Sequence, residues 1–152
     1  MSAVNARDRH RALDLVLELV VLLNADMGRR LAADQLTPAR AAVLWALRRR
    51  GPVTQRELAE ALEVSARNIT GLVDGLAGAD LVSREPHPTD RRATLVTLTR
   101  RGTRLVETLE AEQREFAALL FADMPATRFH GLLDGLADVV GRLKAEGLKT
   151  HE

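Results

Sequence analysis

Apolar residues recur along this chain mostly at helical spacing, with one stretch where the period shortens. From about Arg7 to Ala33, Leu13, Leu17, Val20, Val21, Leu23, Met27 and Leu31 sit in a run free of Gly and Pro before Gly28, which predicts a long helix. Its apolar residues cover more than one stripe, so it needs more than one covering partner, and a second subunit is an economical source. Thr37-Pro38 opens the next helix, a hydroxyl at the cap and Pro in the first turn where its missing N–H is not needed. That helix carries Val43, Leu44 and Leu47 and stops at Gly51-Pro52. Thr54-Gln55-Arg56-Glu57 has the form of a capping box, opening a short helix with Leu58, Ala61 and Leu62 inward. Ser65 caps another, whose Ile69, Leu72, Val73 and Leu76 line one face. Between Leu62 and Ser65 there is room only for a tight turn, so the pair reads as a helix-turn-helix.

After Leu81 the period changes. Residues 81–84 and 93–98 are rich in branched side chains and predict two strands, and the two prolines of 85–92 predict a loop between them. The result is a β-hairpin with a basic tip. Thr99 caps a further helix with Leu105, Val106, Leu109, Phe116, Leu119 and Leu120, and a last helix follows Pro125 with Leu132, Leu133, Leu136, Val139, Val140 and Leu143. The expected fold is mainly α with a small β-hairpin: one domain over 1–152, a winged helix-turn-helix over 36–102, and flanking helices over 7–33 and 103–147.

Composition narrows the chemistry. The 152 residues include no cysteine, which removes disulfides, thiolate zinc sites and iron–sulfur clusters. The longest nearly uncharged run, Leu15 to Leu23, contains Glu18 and is too short for a bilayer, so no membrane partner is expected; with no signal-peptide pattern the expected location is cytoplasmic. There is no glycine-rich phosphate loop and no tyrosine, and Ser65 and Ser83 have no neighbouring histidine. His10, His87, His130 and His151 show no metal-ligand spacing. No enzyme activity, cofactor or metal site is expected. Net charge is near zero, yet residues 84–104 hold six arginines against Glu85 and Asp90, and Arg48-Arg49-Arg50 forms a second cluster. Such patches suit a polyanion held at one face, or are simply solvated arginine.

The helix after Ser65 carries a further signal. With its apolar face inward, Arg67, Gly71, Asp74 and Gly78 point out, with Asn68, Thr70 and Gly75 on the flanks. Each exposed glycine costs about 1 kcal/mol against alanine. Either a nucleic-acid strand approaches that face closely, or another helix packs there, or the glycines reflect simple drift. Arg67 and Asn68 are the types that read guanine and adenine edges, and the helix N-terminus favours phosphate.

The run Ser65-Ala66-Arg67-Asn68-Ile69-Thr70-Gly71-Leu72-Val73-Asp74-Gly75-Leu76, followed by Asp90-Arg91-Arg92 with Leu98-Thr99 and Gly102, resembles the MarR family of bacterial transcriptional regulators. The resemblance implies a ligand-responsive repressor that binds double-stranded DNA as a homodimer, through the terminal helices, on a pseudo-palindromic operator. It matches Arg92 to the wing arginine that enters the minor groove and Asp90 to the carboxylate holding the wing, with Arg91 beside them. Ser65, Arg67, Asn68 and Thr70 match the groove-facing start of the recognition helix. Two positions depart from the family pattern: Gly71 stands where a basic residue is common, and Asp80 where a glycine usually ends the helix. The family also implies a small amphipathic effector, aromatic or anionic, in a cleft that Met27, Arg29, Arg30 and Trp45 would line; alternatively Met27 and Trp45 are core and the arginines solvated. Two other readings are a winged helix that binds protein and a metal-responsive regulator of the same fold.

Overall fold

The computed structural model describes residues 3–146; His151 and position 147 of the expected flanking stretch lie outside them. Six helices and three short strands follow in the order α1 (Ala6–Ala33), α2 (Pro38–Arg50), β1 (Val53–Thr54), α3 (Gln55–Leu62), α4 (Ala66–Gly78), β2 (Val82–Pro86), β3 (Thr94–Leu98), α5 (Arg100–Phe121) and α6 (Ala126–Ala145). Two compact units, Met1–Val106 and Glu107–Glu152, meet within α5.

Each helix of the first unit starts where a side chain supplies the acceptor its first turn lacks. Thr37 Oγ1 accepts the Arg40 N–H at 3.2 Å, and Ser65 Oγ accepts the Asn68 N–H at 3.1 Å. At α3 the box closes both ways, Glu57 N–H to Thr54 Oγ1 and Thr54 N–H to Glu57 Oε2, each at 3.1 Å. Three helices share one ending. Gln35, Glu63 and Asp80 adopt left-handed backbone (φ 58°, 54° and 59°), and the apolar residue after each bonds back: Leu36 to Leu31, Val64 to Ala59, Leu81 to Leu76. Asp80 takes up the conformation for which the family pattern places glycine.

The sheet has three strands where two were expected. Its order is β1-β3-β2, all antiparallel, with Val53 opposite Val96 and Val82 opposite Leu98. β1 is two residues long, too short to show a period, and it forms because β3 lies opposite. β2 also runs on through Glu85 and Pro86, expected to be loop; Pro86 ends an edge strand, where its missing N–H removes little pairing.

The core lies among α2, α3, α4 and β3, where Val43, Leu44, Leu58, Ile69, Val73, Leu76 and Val96 are fully buried. Helix α5 enters beside the turn after α4. A Cβ on Gly102 would overlap the Leu81 carbonyl oxygen, which itself accepts the Thr99 N–H at 3.1 Å. Thr99 Oγ1 donates to the Asp80 carbonyl at 2.7 Å and accepts the Gly102 N–H at 2.9 Å, capping α5 as expected.

Along α1 and α6, by contrast, most apolar residues are uncovered. Along α1 only Leu31 is buried, while Leu15, Leu17, Val21 and Leu22 are each more than half exposed. In the second unit Phe121 and Phe129 pack with ring centroids 5.6 Å apart, but α6 buries none of its side chains. Leu133, Val139, Val140 and Leu143 stand exposed along it. Among the described residues no helix is long and apolar enough to cross a membrane.

Candidate nucleic-acid interface

Ser65, Arg67, Asn68 and Thr70 occupy the cap and first two turns of α4, and all are exposed. The hydroxyl of Ser65, having accepted the Asn68 N–H, keeps its own proton to donate. Arg67 makes no ion pair among the described residues. Thr70 is less available: its hydroxyl donates to the Ala66 carbonyl at 2.9 Å and accepts from Gln55 Nε2 at 3.2 Å.

Asp90, Arg91 and Arg92 form the exposed turn between β2 and β3. Asp90 Oδ1 accepts the backbone N–H of Arg92 at 3.0 Å. The carboxylate therefore holds the turn through the Arg92 backbone rather than through its guanidinium. Neither Arg91 nor Arg92 makes an ion pair among the described residues.

The basic segment 84–104 is less bare than its composition. Arg84 Nη2 donates to Asp74 Oδ1 at 2.5 Å, and Arg84 Nε to Gln55 Oε1 at 3.0 Å. Gln55 thus joins Thr70 of α4 to Arg84 of β2, and Asp74 ties the same strand to α4 again. The carboxylate on the outward face of α4 is partly neutralised by the base of the wing. Sequence reasoning missed the role of Gln55 and of the Arg84–Asp74 pair, because no local pattern marks partners that lie in different elements.

The glycines of α4 divide. A Cβ on Gly75 would meet the Arg40 guanidinium of α2 at 2.5 Å, the end of a flexible side chain that can move aside. Gly71 and Gly78 face open space, and packing within the chain does not account for them.

The four residues offered for an effector cleft lie on two helices. Met27 is exposed near the end of α1, and Trp45 is half-buried in α2 between the buried Leu44 and Ala46. Arg29 and Arg30 reach Asp26 of their own helix, at 3.7 and 2.9 Å. A separate recess of about 380 Å³ is bordered by Leu36, Arg40, Leu76, Leu81 and Arg101. Neither of its arginines forms an ion pair among the described residues. No cluster of three or more His, Asp or Glu stands ready for a metal ion among the described residues.

The family model described as MarR family matches residues 36–94. The repressor NicR of Pseudomonas putida, named as an HTH-type transcriptional repressor, is 36% identical over 92 residues, 60% of this chain and 58% of its own length. The HTH-type transcriptional regulator MhqR of Bacillus subtilis is 30% identical over 84 residues, 55% of this chain and 58% of its own. The chain thus matches less than two thirds of either relative. The crystal structure of RV1404 from Mycobacterium tuberculosis superposes with a TM-score of 0.79 at 28% identity, covering 93% of this chain and 96% of that one.

Proposed function

We propose that this chain, whose residues 36–94 match the model of the MarR family, is a transcriptional repressor of that family that binds double-stranded DNA as a homodimer. The observation that supports this best is the bracing of α4 by the wing through Gln55, Asp74 and Arg84. It holds a helix N-terminus bearing Arg67 and Asn68 and a turn bearing Arg91 and Arg92 on one folded unit. Arginine and asparagine at a helix start suit base edges in the major groove, and an arginine on a wing suits the negative potential of a narrow minor groove. The uncovered apolar faces of α1 and α6 support self-association, and two-fold symmetry would make the operator pseudo-palindromic with half-sites about one helical turn apart.

An effector belongs to the same reading. An apolar wall beside a guanidinium suits a hydrophobic carboxylate or phenolate. Met27, Arg29, Arg30 and Trp45 remain one proposed site. Asp26 already answers both arginines there, and the recess of Arg40 and Arg101, a polar cleft with Asp34 on its rim, is a second candidate for the anionic end of such a compound.

Selection of a tight duplex from a randomised library, followed by a gel shift, tests DNA binding. A specific palindromic duplex is expected, and failure to select any duplex would sink the proposal. Titrating aromatic carboxylates while following Trp45 fluorescence and duplex release tests the effector, with release but no binding defect expected in Arg40→Ala or in Arg29→Ala if the other site is used.

A further inference from the structure

His87 is the first residue of the wing turn, half-buried, and its ring faces inward on the turn. Its Nδ1 lies 3.0 Å from the Asp90 N–H and 3.2 Å from the Thr89 N–H, both donating to it, with the Thr89 hydroxyl at 3.4 Å. Two N–H donors aimed at one ring nitrogen require that nitrogen to be an acceptor, so the proton sits on Nε2. The backbone of His87 closes the turn as well, its N–H donating to the Ala93 carbonyl at 3.3 Å. Next along the chain, the residue whose N–H His87 holds is Asp90, and Asp90 in turn holds the N–H of Arg92. One neutral imidazole therefore sits at the root of the arrangement that presents the wing arginine.

We propose that His87 is a positioning residue for the wing, holding Arg92 in place only while its Nδ1 is unprotonated, so that acid loosens the wing and weakens DNA binding. This rests on the reading of the wing as a DNA contact. The charged residues of the flanking segments are Arg84 and Glu85 of β2 and Asp90, Arg91 and Arg92 of the turn, while β3 brings none. Arg84 is engaged by Asp74, Glu85 accepts from the Ser83 hydroxyl at 3.1 Å, and Asp90 is engaged by Arg92.

The sign of the effect separates this role from the ordinary one. A wing histidine that merely touched phosphate would gain charge on acidification and bind DNA more tightly. A histidine whose neutral nitrogen organises the turn loses two hydrogen bonds instead. The test is fluorescence anisotropy with the selected duplex at constant ionic strength, between pH 7.5 and 5.5, the range in which histidine as a residue type changes charge. His87→Asn keeps an acceptor near the Nδ1 position and cannot titrate, whereas His87→Gln places its amide near Nε2. The parent chain should lose about tenfold in affinity on acidification relative to His87→Asn, two modest hydrogen bonds' worth. His87→Gln should bind about tenfold more weakly than His87→Asn at both pH values. Affinity that rises on acidification in the parent relative to His87→Asn, or His87→Gln binding like the parent at pH 7.5, overturns the proposal. A readout without DNA is the tautomer of His87, from long-range nitrogen–proton NMR of the free protein at pH 7.5. A proton on Nε2 is expected, and one on Nδ1 overturns the assignment. If no duplex binds at any pH, the DNA reading fails, and the tautomer still decides the role of His87 in the turn.

Discussion

Arg67 and Arg92, the proposed duplex contacts, are both exposed, so removing either guanidinium should leave the fold intact. Arg92→Ala is expected to weaken duplex binding at an unchanged melting temperature. If it also neutralises a phosphate, the log–log salt slope should flatten by about 0.9. Arg67→Ala should cost about 1–3 kcal/mol of binding and relax preference at one base pair per half-site, read by comparing single-base operator variants. The glycines discriminate more finely. A methyl at Gly102 would overlap a backbone carbonyl that cannot swing away, so Gly102→Ala should destabilise by about 1–3 kcal/mol in urea titrations. At Gly71 the methyl meets nothing, and Gly71→Ala should raise stability by about 0.5–1 kcal/mol. The same variant should bind the duplex less well if the missing side chain serves close approach; unchanged binding would leave this glycine without a role.

Helices that end on Gln35, Glu63 and Asp80 all hold a side chain in left-handed backbone, the conformation glycine adopts most cheaply. Asp80→Gly should therefore stabilise by about 0.5–1 kcal/mol, the relief of the left-handed strain exceeding the added freedom of the unfolded chain. A calorimetric scan checks it, and a lowered melting temperature would contradict it. Between elements, the Arg84–Asp74 pair is partly solvated and should contribute no more than about 1 kcal/mol to stability. Its larger effect should fall on binding: Arg84→Ala exposes the Asp74 carboxylate on the face of α4, and a second change, Asp74→Ala, should restore part of the lost affinity. The same contrast explains what could be read in advance. Thr37-Pro38, the Thr54–Glu57 box and Ser65 announce their helices within four residues, and the inward face of Ile69, Val73 and Leu76 follows from spacing alone. β1 has no such signature, existing only because Val96 and Leu95 lie across from it. Gln55 and Arg84 are 29 residues apart, and nothing local marks them as partners. The bonds to His87 were illegible for another reason: they are accepted from backbone N–H groups, whatever the side chains there.

At the scale of the whole molecule, the exposed rows of α1 and of α6 are the largest unanswered feature. Covering one leucine of such a row is worth about 1.5–3 kcal/mol, so several together favour a second copy strongly. Light scattering should report a dimer at micromolar concentration. The double variant Leu136→Glu with Val140→Glu should lose both the dimer and operator binding, while a stable folded monomer in the parent protein would contradict the proposal. Dilution then acts as a denaturant, and the thermal midpoint should climb with protein concentration. Subunit exchange carries the point into the cell: a copy lacking Arg67 and Arg92 but keeping both helices would trade into intact pairs, leaving each mixed pair with one working half. Such a variant would poison the wild-type protein in proportion to its abundance, a dominant effect from a loss-of-contact change.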